Sequence, residues 1–186
     1  NKKIIPIING LTDKSHPCQI LGDFLTIQEN LKDLQNLKIT WIGDLNNVLT
    51  SLLHLQNIYK FNLNVVIPKE ILKKNSAHLN KYKNLKIKFM SDPLLGSKNS
   101  NCIMTDVWLS MGEKNKNKLK YFKNFTVNQK IIDNASQKVI FMHCLPAKRG
   151  LEVTSDVLDG KASVVLQQAK NRMYIQQAIL IYVLQI

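Results

Sequence analysis

The chain has 186 residues, 45% of them hydrophobic, enough for one domain with a sizeable core or for two small lobes. Its formal net charge of +13 raises a nucleic-acid role, but only Arg149 and Arg172 of the 26 basic residues are arginine, and the lysines lie scattered among asparagines, as on solvated helix faces. No run of about 18 uncharged apolar residues exists, so a membrane span is not expected, and the opening "NKKIIPII" leads into no apolar targeting core.

In chain order, "SHPCQILGDFLTIQENLKDL" reads as a long helix, with Ser15 as a possible cap, His16 and Pro17 in the first turn, and Ile20, Leu21, Phe24 and Leu25 at helical spacing. "NLKITWIGD" is a short run of strand formers, followed by Leu45, Asn46, Asn47 and the periodic helix "VLTSLLHLQNIYKF". The alternation recurs at "NLNVVIPKE" before a lysine-rich helix to Asn84, at "NLKIKFMSD" before "PLLGSK", and at "NCIMTDVWLSMG" before "EKNKNKLKYF". It recurs again at "QKVIFMHCLP" and at "ASVVLQQA", the last leading into "KNRMYIQQAILIYVLQI". Apolar strands separated by helices predict an α/β fold: a parallel, Rossmann-like sheet of about five strands with helices on both faces. Ligands gather at the carboxyl ends of such strands, which places "GDLNN", "DVWLSMG" and "HCLPAKRG" along one edge.

Cys18, Cys102 and Cys144 are odd in number and widely spaced, which argues against a disulfide framework or a zinc site and fits a reducing, cytoplasmic compartment. In "VIFMHCLPAKRG", His143 and Cys144 are adjacent strand residues and point to opposite faces, so the imidazole is badly placed to activate the thiol. Cys144 is then either a small core residue or a polarisable wall beside a substrate. Asp106 ends an apolar run, where a carboxylate is costly unless paired. It is either a loop cap or an acceptor for an ammonium group. Ser110, Met111 and Gly112 present a hydroxyl and turn amides suited to a carboxylate. Asn46 and Asn47 offer polar groups at the neighbouring strand end, although Asn46 also has the look of a helix cap. An acid for an ammonium beside amides for a carboxylate makes an amino-acid clamp. His16 and Gln19 share a helix face and can reach one carbonyl oxygen as donors. Arg172 supplies a planar fork of donors. His54 and His78 sit in lysine-bearing helices without partners at metal-ligand spacing.

In order, "SHPCQ", "GDLNN", "DVWLSMG", "HCLPAKRG" and "NRMYIQQA" resemble the ornithine-binding half of the ornithine carbamoyltransferases, over essentially the whole chain. The resemblance implies transfer of a carbamoyl group from carbamoyl phosphate to the side-chain amine of L-ornithine, giving citrulline and phosphate, with no metal or cofactor. It implies that His16, Gln19 and Arg172 hold and polarise the carbamoyl group, with Arg172 as the charged donor. It further implies that Asp106 takes the α-ammonium, that Asn47, Ser110 and Met111 position the amino-acid end, and that Cys144 and Leu145 border the reacting amine.

The same resemblance divides the chain into an inter-domain helix segment (1–34), an α/β domain (35–167) and a final helix (168–186). Both flanking helices would pack on a preceding carbamoyl-phosphate lobe, which in the family carries the phosphate-gripping loop. No such loop is expected in this sequence, and Asn1 is not taken as the native start. The expectation is therefore a chain inactive alone, whose Leu21, Leu25, Ile179 and Tyr182 form an apolar surface, and which joins a homotrimer in the complete enzyme. Lys148 stands where the family usually has histidine, Leu45 where glycine is common, and Gln167 and Lys170 where it has acids. These departures leave a non-catalytic remnant or binding module of the same fold as the competing reading.

Overall fold

In a computed structural model, residues 5–32, 34–109 and 116–185 are described. Helix α1, Pro17–Asn30, opens with proline at its first position, where the missing N–H is not needed. Strand β1, Lys38–Ile42, leads into α2, Asn47–Tyr59. The Asn46 side chain caps α2 by accepting from the Leu49 amide at 2.9 Å. Strand β2, Asn62–Val66, precedes two short helices, α3 at Lys69–Lys74 and α4 at Ser76–Leu79, and a 3₁₀ turn at Asn80–Tyr82. Then come β3 (Ile87–Met90), α5 (Pro93–Ser97), β4 (Cys102–Thr105) and a 3₁₀ segment at Lys116–Phe122. Helix α6 (Gln129–Asp133), β5 (Ile140–His143), α7 (Ser155–Leu158) and α8 (Val165–Leu184) complete the chain.

The five strands form one parallel sheet in the order β3-β2-β1-β4-β5. The chain winds from β1 outward to β3, then returns to lay β4 against the other side of β1. Right-handed crossovers on either side of that reversal put their helices on opposite faces. Accordingly α1, α2 and α8 pack together, as do α5, α6 and α7. Strand interiors are nearly all apolar, as a sheet covered on both faces requires, with Ile39, Trp41, Val65, Ile103 and Phe141 essentially inaccessible. The exceptions are paired: Thr40 donates to the Gly96 carbonyl at 2.8 Å, and Asn64 does so at 2.7 Å.

Four local expectations are corrected. The "ASVVLQQA" run is not a strand. Ser163 makes only an isolated bridge to Phe141, and Val165 already begins α8, because the Gln-rich stretch after the two valines takes helical geometry and packs on α1. The first helix ends at Asn30 rather than near Leu34, and its cap is His16 rather than Ser15, whose hydroxyl instead accepts from Asn9 at 3.0 Å. The lysine-rich helix breaks at Asn75, whose side chain turns back onto the Ile71 carbonyl at 2.9 Å and competes with the helical ladder. The "EKNKNKLKYF" helix is, over its described part, a 3₁₀ segment whose Phe122 stacks on Trp108 at 5.0 Å.

The flanking helices pack on each other along much of their length. A Cβ on Gly22 would stand 3.0 Å from Arg172 Cδ and 3.4 Å from its Cα, so the missing side chain is what lets α8 cross α1 this closely. Thr26 and Asn171 seal the crossing with a 3.0 Å hydrogen bond, and Asn171 also donates to Glu29 at 2.6 Å.

Candidate active site

Strand order reverses between β1 and β4, and the carboxyl ends of strands at such a switch point are where open α/β sheets hold ligands. Asp106 follows β4 directly and is 7% exposed. Its carboxylate accepts from Cys144 Sγ at 2.8 Å, from Asn46 Nδ2 at 2.7 Å and from the Val107 amide at 2.8 Å. Cys144 follows β5, so Asp106 bridges the ends of β4, β5 and α2. Burial, and then the Asp106 carboxylate, push the Cys144 thiol well above its ordinary value. The sulfur is thus held protonated as a donor, the opposite of the environment that activates a nucleophile. His143 points away, as strand alternation requires. Its Nε2 lies 3.1 Å from Glu152, and its Nδ1 accepts the Leu145 amide at 2.8 Å. Leu145 itself is half-buried, with φ of +56° and a cis bond to Pro146. Burial raises the Glu152 carboxyl, but hydrogen bonds from His143 and from the Lys148 and Glu152 amides outweigh it and hold the group below the usual range.

A second cluster stands on the two flanking helices. Arg172 donates through Nη1 to Gln19 Oε1, and the same nitrogen lies 3.5 Å from His16 Nε2, which must accept because a guanidinium only donates. Burial, and then the Arg172 charge, lower the His16 pKa, with the Gly10 backbone and Asp106 pulling the other way. The imidazole is therefore neutral at physiological pH. The Asp106 charge pulls the His16 pKa upward, so the two clusters lie within electrostatic reach of one another.

The structure thus brings together His16, Gln19 and Arg172, and separately Asp106, Cys144 and Leu145. Asn47 directs its side-chain amide to the Thr12 carbonyl at 2.7 Å. Ser110, Met111 and Gly112 lie outside the described residues. Asn46, read from the sequence chiefly as a cap, does both jobs: Oδ1 caps α2 and Nδ2 holds Asp106. Asp23, Gln168 and Glu152 went unnoticed, although the Gln19/Asp23 spacing of one helical turn was a usable signal. Arg149, the other arginine, spends its fork on Asp159 in an exposed pair at 2.5 and 2.8 Å. At the position that departs from the family's acid, Gln167 reaches Glu29 at 2.7 Å and accepts from Asn30 at 3.0 Å, and Lys170 lies over the Tyr174 ring.

Among the described residues, Asp106, His143 and Cys144 place three potential metal-ligand atoms within 4.8 Å of one another. The donor set does not fit a metal. Both imidazole nitrogens are engaged, and the thiol shares its proton with the carboxylate rather than standing as a thiolate.

The parallel sheet with its carboxylate at the switch point defines an open, doubly wound α/β domain. The chain belongs to the aspartate/ornithine carbamoyltransferase family: the model of the family's Asp/Orn-binding domain matches residues 35–183. It is 42% identical over 189 residues to an ornithine carbamoyltransferase of Methanococcus vannielii, covering 97% of this chain and 62% of the relative. A second, from Methanosarcina mazei, is 44% identical over 181 residues, covering 95% of this chain and 60% of its own. The crystal structure of the anabolic ornithine carbamoyltransferase of Campylobacter jejuni superposes with a TM-score of 0.84 at 34% identity, over 96% of this chain and 61% of that one. The enzyme from Burkholderia thailandensis gives 0.85 at 32%, over 96% and 58%. The chain spans about three-fifths of the length of the curated relatives it matches.

Proposed function

We propose that the chain supplies the amino-acid-binding half of an ornithine carbamoyltransferase. The observation that carries the reading is the nearly buried Asp106 carboxylate at the β1/β4 switch point, together with a guanidinium and a neutral histidine paired on the two flanking helices. Asp106 would receive the α-ammonium of L-ornithine, since an acceptor already bound to neutral donors keeps its full charge for a cation. Asn47, Ser110 and Met111 would hold the rest of the amino-acid end. The uncharged side-chain amine would then attack the carbamoyl carbon of carbamoyl phosphate beside Cys144 and Leu145. A C–N bond forms, the C–O bond to phosphate breaks with its electron pair leaving on phosphate, and the amine gives up a proton.

His16, Gln19 and Arg172 would hold the carbamoyl group, with Arg172 meeting the oxygen that becomes negative in the tetrahedral state. Cys144 would act as a wall and weak donor, because its thiol is too basic to attack. Orientation and the fixed charge of Arg172 would carry most of the rate, with no cofactor. A phosphate-binding lobe beyond these 186 residues would complete the site, the complete enzyme would be a cytoplasmic homotrimer in arginine metabolism, and these residues alone would not turn over.

Titration calorimetry with L-ornithine tests the reading. Saturable binding is expected, and Asp106→Asn should weaken it at least about tenfold, or about 1.4 kcal/mol. Binding unchanged in that variant would remove Asp106 from the site. Citrulline should appear only when a carbamoyl-phosphate lobe is added. A binding module without catalysis is the second reading. It is favoured by the pairing of Arg172, which among the described residues bonds Gln19 and His16 and no carboxylate. Ornithine binding without citrulline after complementation would select it.

A further inference from the structure

The carbamoyl-side cluster and the end of β5 are joined through two buried side chains, Asp23 and Gln168, that the reaction itself does not use. Asp23, one turn along α1 from Gln19, is 1% exposed. Its Oδ1 accepts from Gln19 Nε2 at 2.7 Å and from Gln168 Nε2 at 2.8 Å. Oδ2 has no hydrogen-bond partner among the described residues. Gln19 turns its carbonyl oxygen to Arg172, whereas Gln168 turns its own to the main-chain amide of His143 at 3.0 Å, one residue before Cys144. Each amide has its donor end on Asp23 and its acceptor end on a different cluster. Flipping either amide would bring its carbonyl oxygen to the carboxyl group and its donor end to another donor, so Asp23 dictates which way both face.

We propose that Asp23 is a positioning residue that sets the carbamoyl-side cluster (His16, Gln19, Arg172) and the amine-side strand end (His143, Cys144) in register, through Gln19 and Gln168. The inference rests on the site proposed above but concerns only the protein's own groups, so it stands or falls without substrate. Its physical core is the single buried oxygen that both amides share, Gln19 at 2.7 Å and Gln168 at 2.8 Å, on a group that can also take up a proton. Burial raises Asp23 to about 7, against the pull of the Gln168 and Gln19 hydrogen bonds and the Arg172 charge, with Asp106 adding to the rise. Besides Arg172 on α8 and Asp106 after β4, the titratable groups coupled to it are the Cys102 thiol in β4 and the Cys144 thiol after β5, both held protonated by burial. Neither thiol changes charge near neutrality. Ionised, the carboxylate accepts strongly from both amides and draws Arg172 in; protonated, it relaxes both arms together.

The test is a pH titration of the ¹⁵N-labelled chain from 5 to 9. It follows the Arg172 Nε–H and Gln19 side-chain resonances on one side and the His143 and Cys144 backbone amides on the other. Both sides should shift with one common midpoint near 7. His16, whose pKa is lowered, titrates on the acid side and is identified by its own ring protons. Asp23→Asn should abolish the common step on both sides. Gln168→Met should abolish it at His143 and Cys144 alone and leave it at Arg172, a selective loss that a merely structural role for Asp23 would not produce. Should Asp23→Asn fail to fold, the wild-type titration and Gln168→Met carry the decision. Different midpoints on the two sides, a step that survives Asp23→Asn, or one that survives at His143 in Gln168→Met, would each overturn the proposal. Loss of ornithine binding with the common step intact would instead count against the site proposal alone.

Discussion

A cysteine beside a histidine at a strand end invites a covalent mechanism, and the distances turn it away. His143 is committed to Glu152 and to the Leu145 amide, while Cys144 donates its proton to Asp106. The thiol is held up first by burial and then by the carboxylate, so removing the charge removes only the second of these. Iodoacetamide at pH 8 should therefore modify Cys144 slowly in the wild type and several-fold faster in Asp106→Asn, read by peptide mass spectrometry. Cys18 and Cys102 are buried and serve as internal references. A wild-type rate equal to that of a free thiol would show that Asp106 does not hold the proton there. The sequence left Cys144 open between core residue and substrate wall. Its hydrogen-bond partner, Asp106, lies 38 positions away, beyond the reach of any local reading.

Among the elements, α5 lies close against the sheet at Gly96. Gly96 accepts from Thr40 and Asn64 through its carbonyl, and a Cβ there would fall well inside contact with Val66 Cγ2 and within 3.3 Å of Met90 Sδ. Gly96→Ala must push α5 off β1 and β2 and strain the hydrogen bonds of Thr40 and Asn64. A loss of about 1–3 kcal/mol follows from such overpacking, against which the gain in helix propensity is small. The expected result is a Tm lower by several degrees in a calorimetric melt, and an unchanged Tm would contradict the packing described here. The strands were legible because buried parallel strands are continuous apolar runs. The valines at 164 and 165 misled for the same reason, since a short apolar run does not distinguish the last loop residues before a helix from a strand. The breaks in the lysine-rich helix were hidden because nothing in its local pattern shows Asn75 turning back on the ladder.

At the scale of the molecule, no helix among the described residues is long and apolar enough to cross a membrane, yet α8 carries a strong apolar surface. Tyr182 is 85% exposed, with Tyr174, Leu180, Ile181 and Leu184 exposed beside it and Leu21 exposed on α1, while Leu25 and Ile179 are half-buried. A monomer rarely presents a contiguous apolar patch of this kind without covering it. The chain should accordingly bind an environment-sensitive apolar dye in its folded state, and the double substitution Ile181→Lys and Tyr182→Lys should cut that fluorescence with little change in Tm. Dye binding unaffected by the pair would place the patch elsewhere. The two shallow depressions of about 590 and 700 Å³ lie toward the opposite edge of the sheet, lined by residues such as Ala162 and Lys38, away from Asp106.

The amino-acid order by itself determined the alternation of strands and helices, the cap at Asn46, the divergence of His143 from Cys144 and the resemblance that names the family. Each of these depends on neighbours a few positions apart or on motifs read in line. Only the tertiary structure decided that Asp106 meets Asn46 across 60 positions and that Asp23 meets Gln168 across 145. Partner choice between buried polar groups follows from the strand order and the α1/α8 crossing. Those arise from burial of the whole apolar surface at once, which no local stretch encodes.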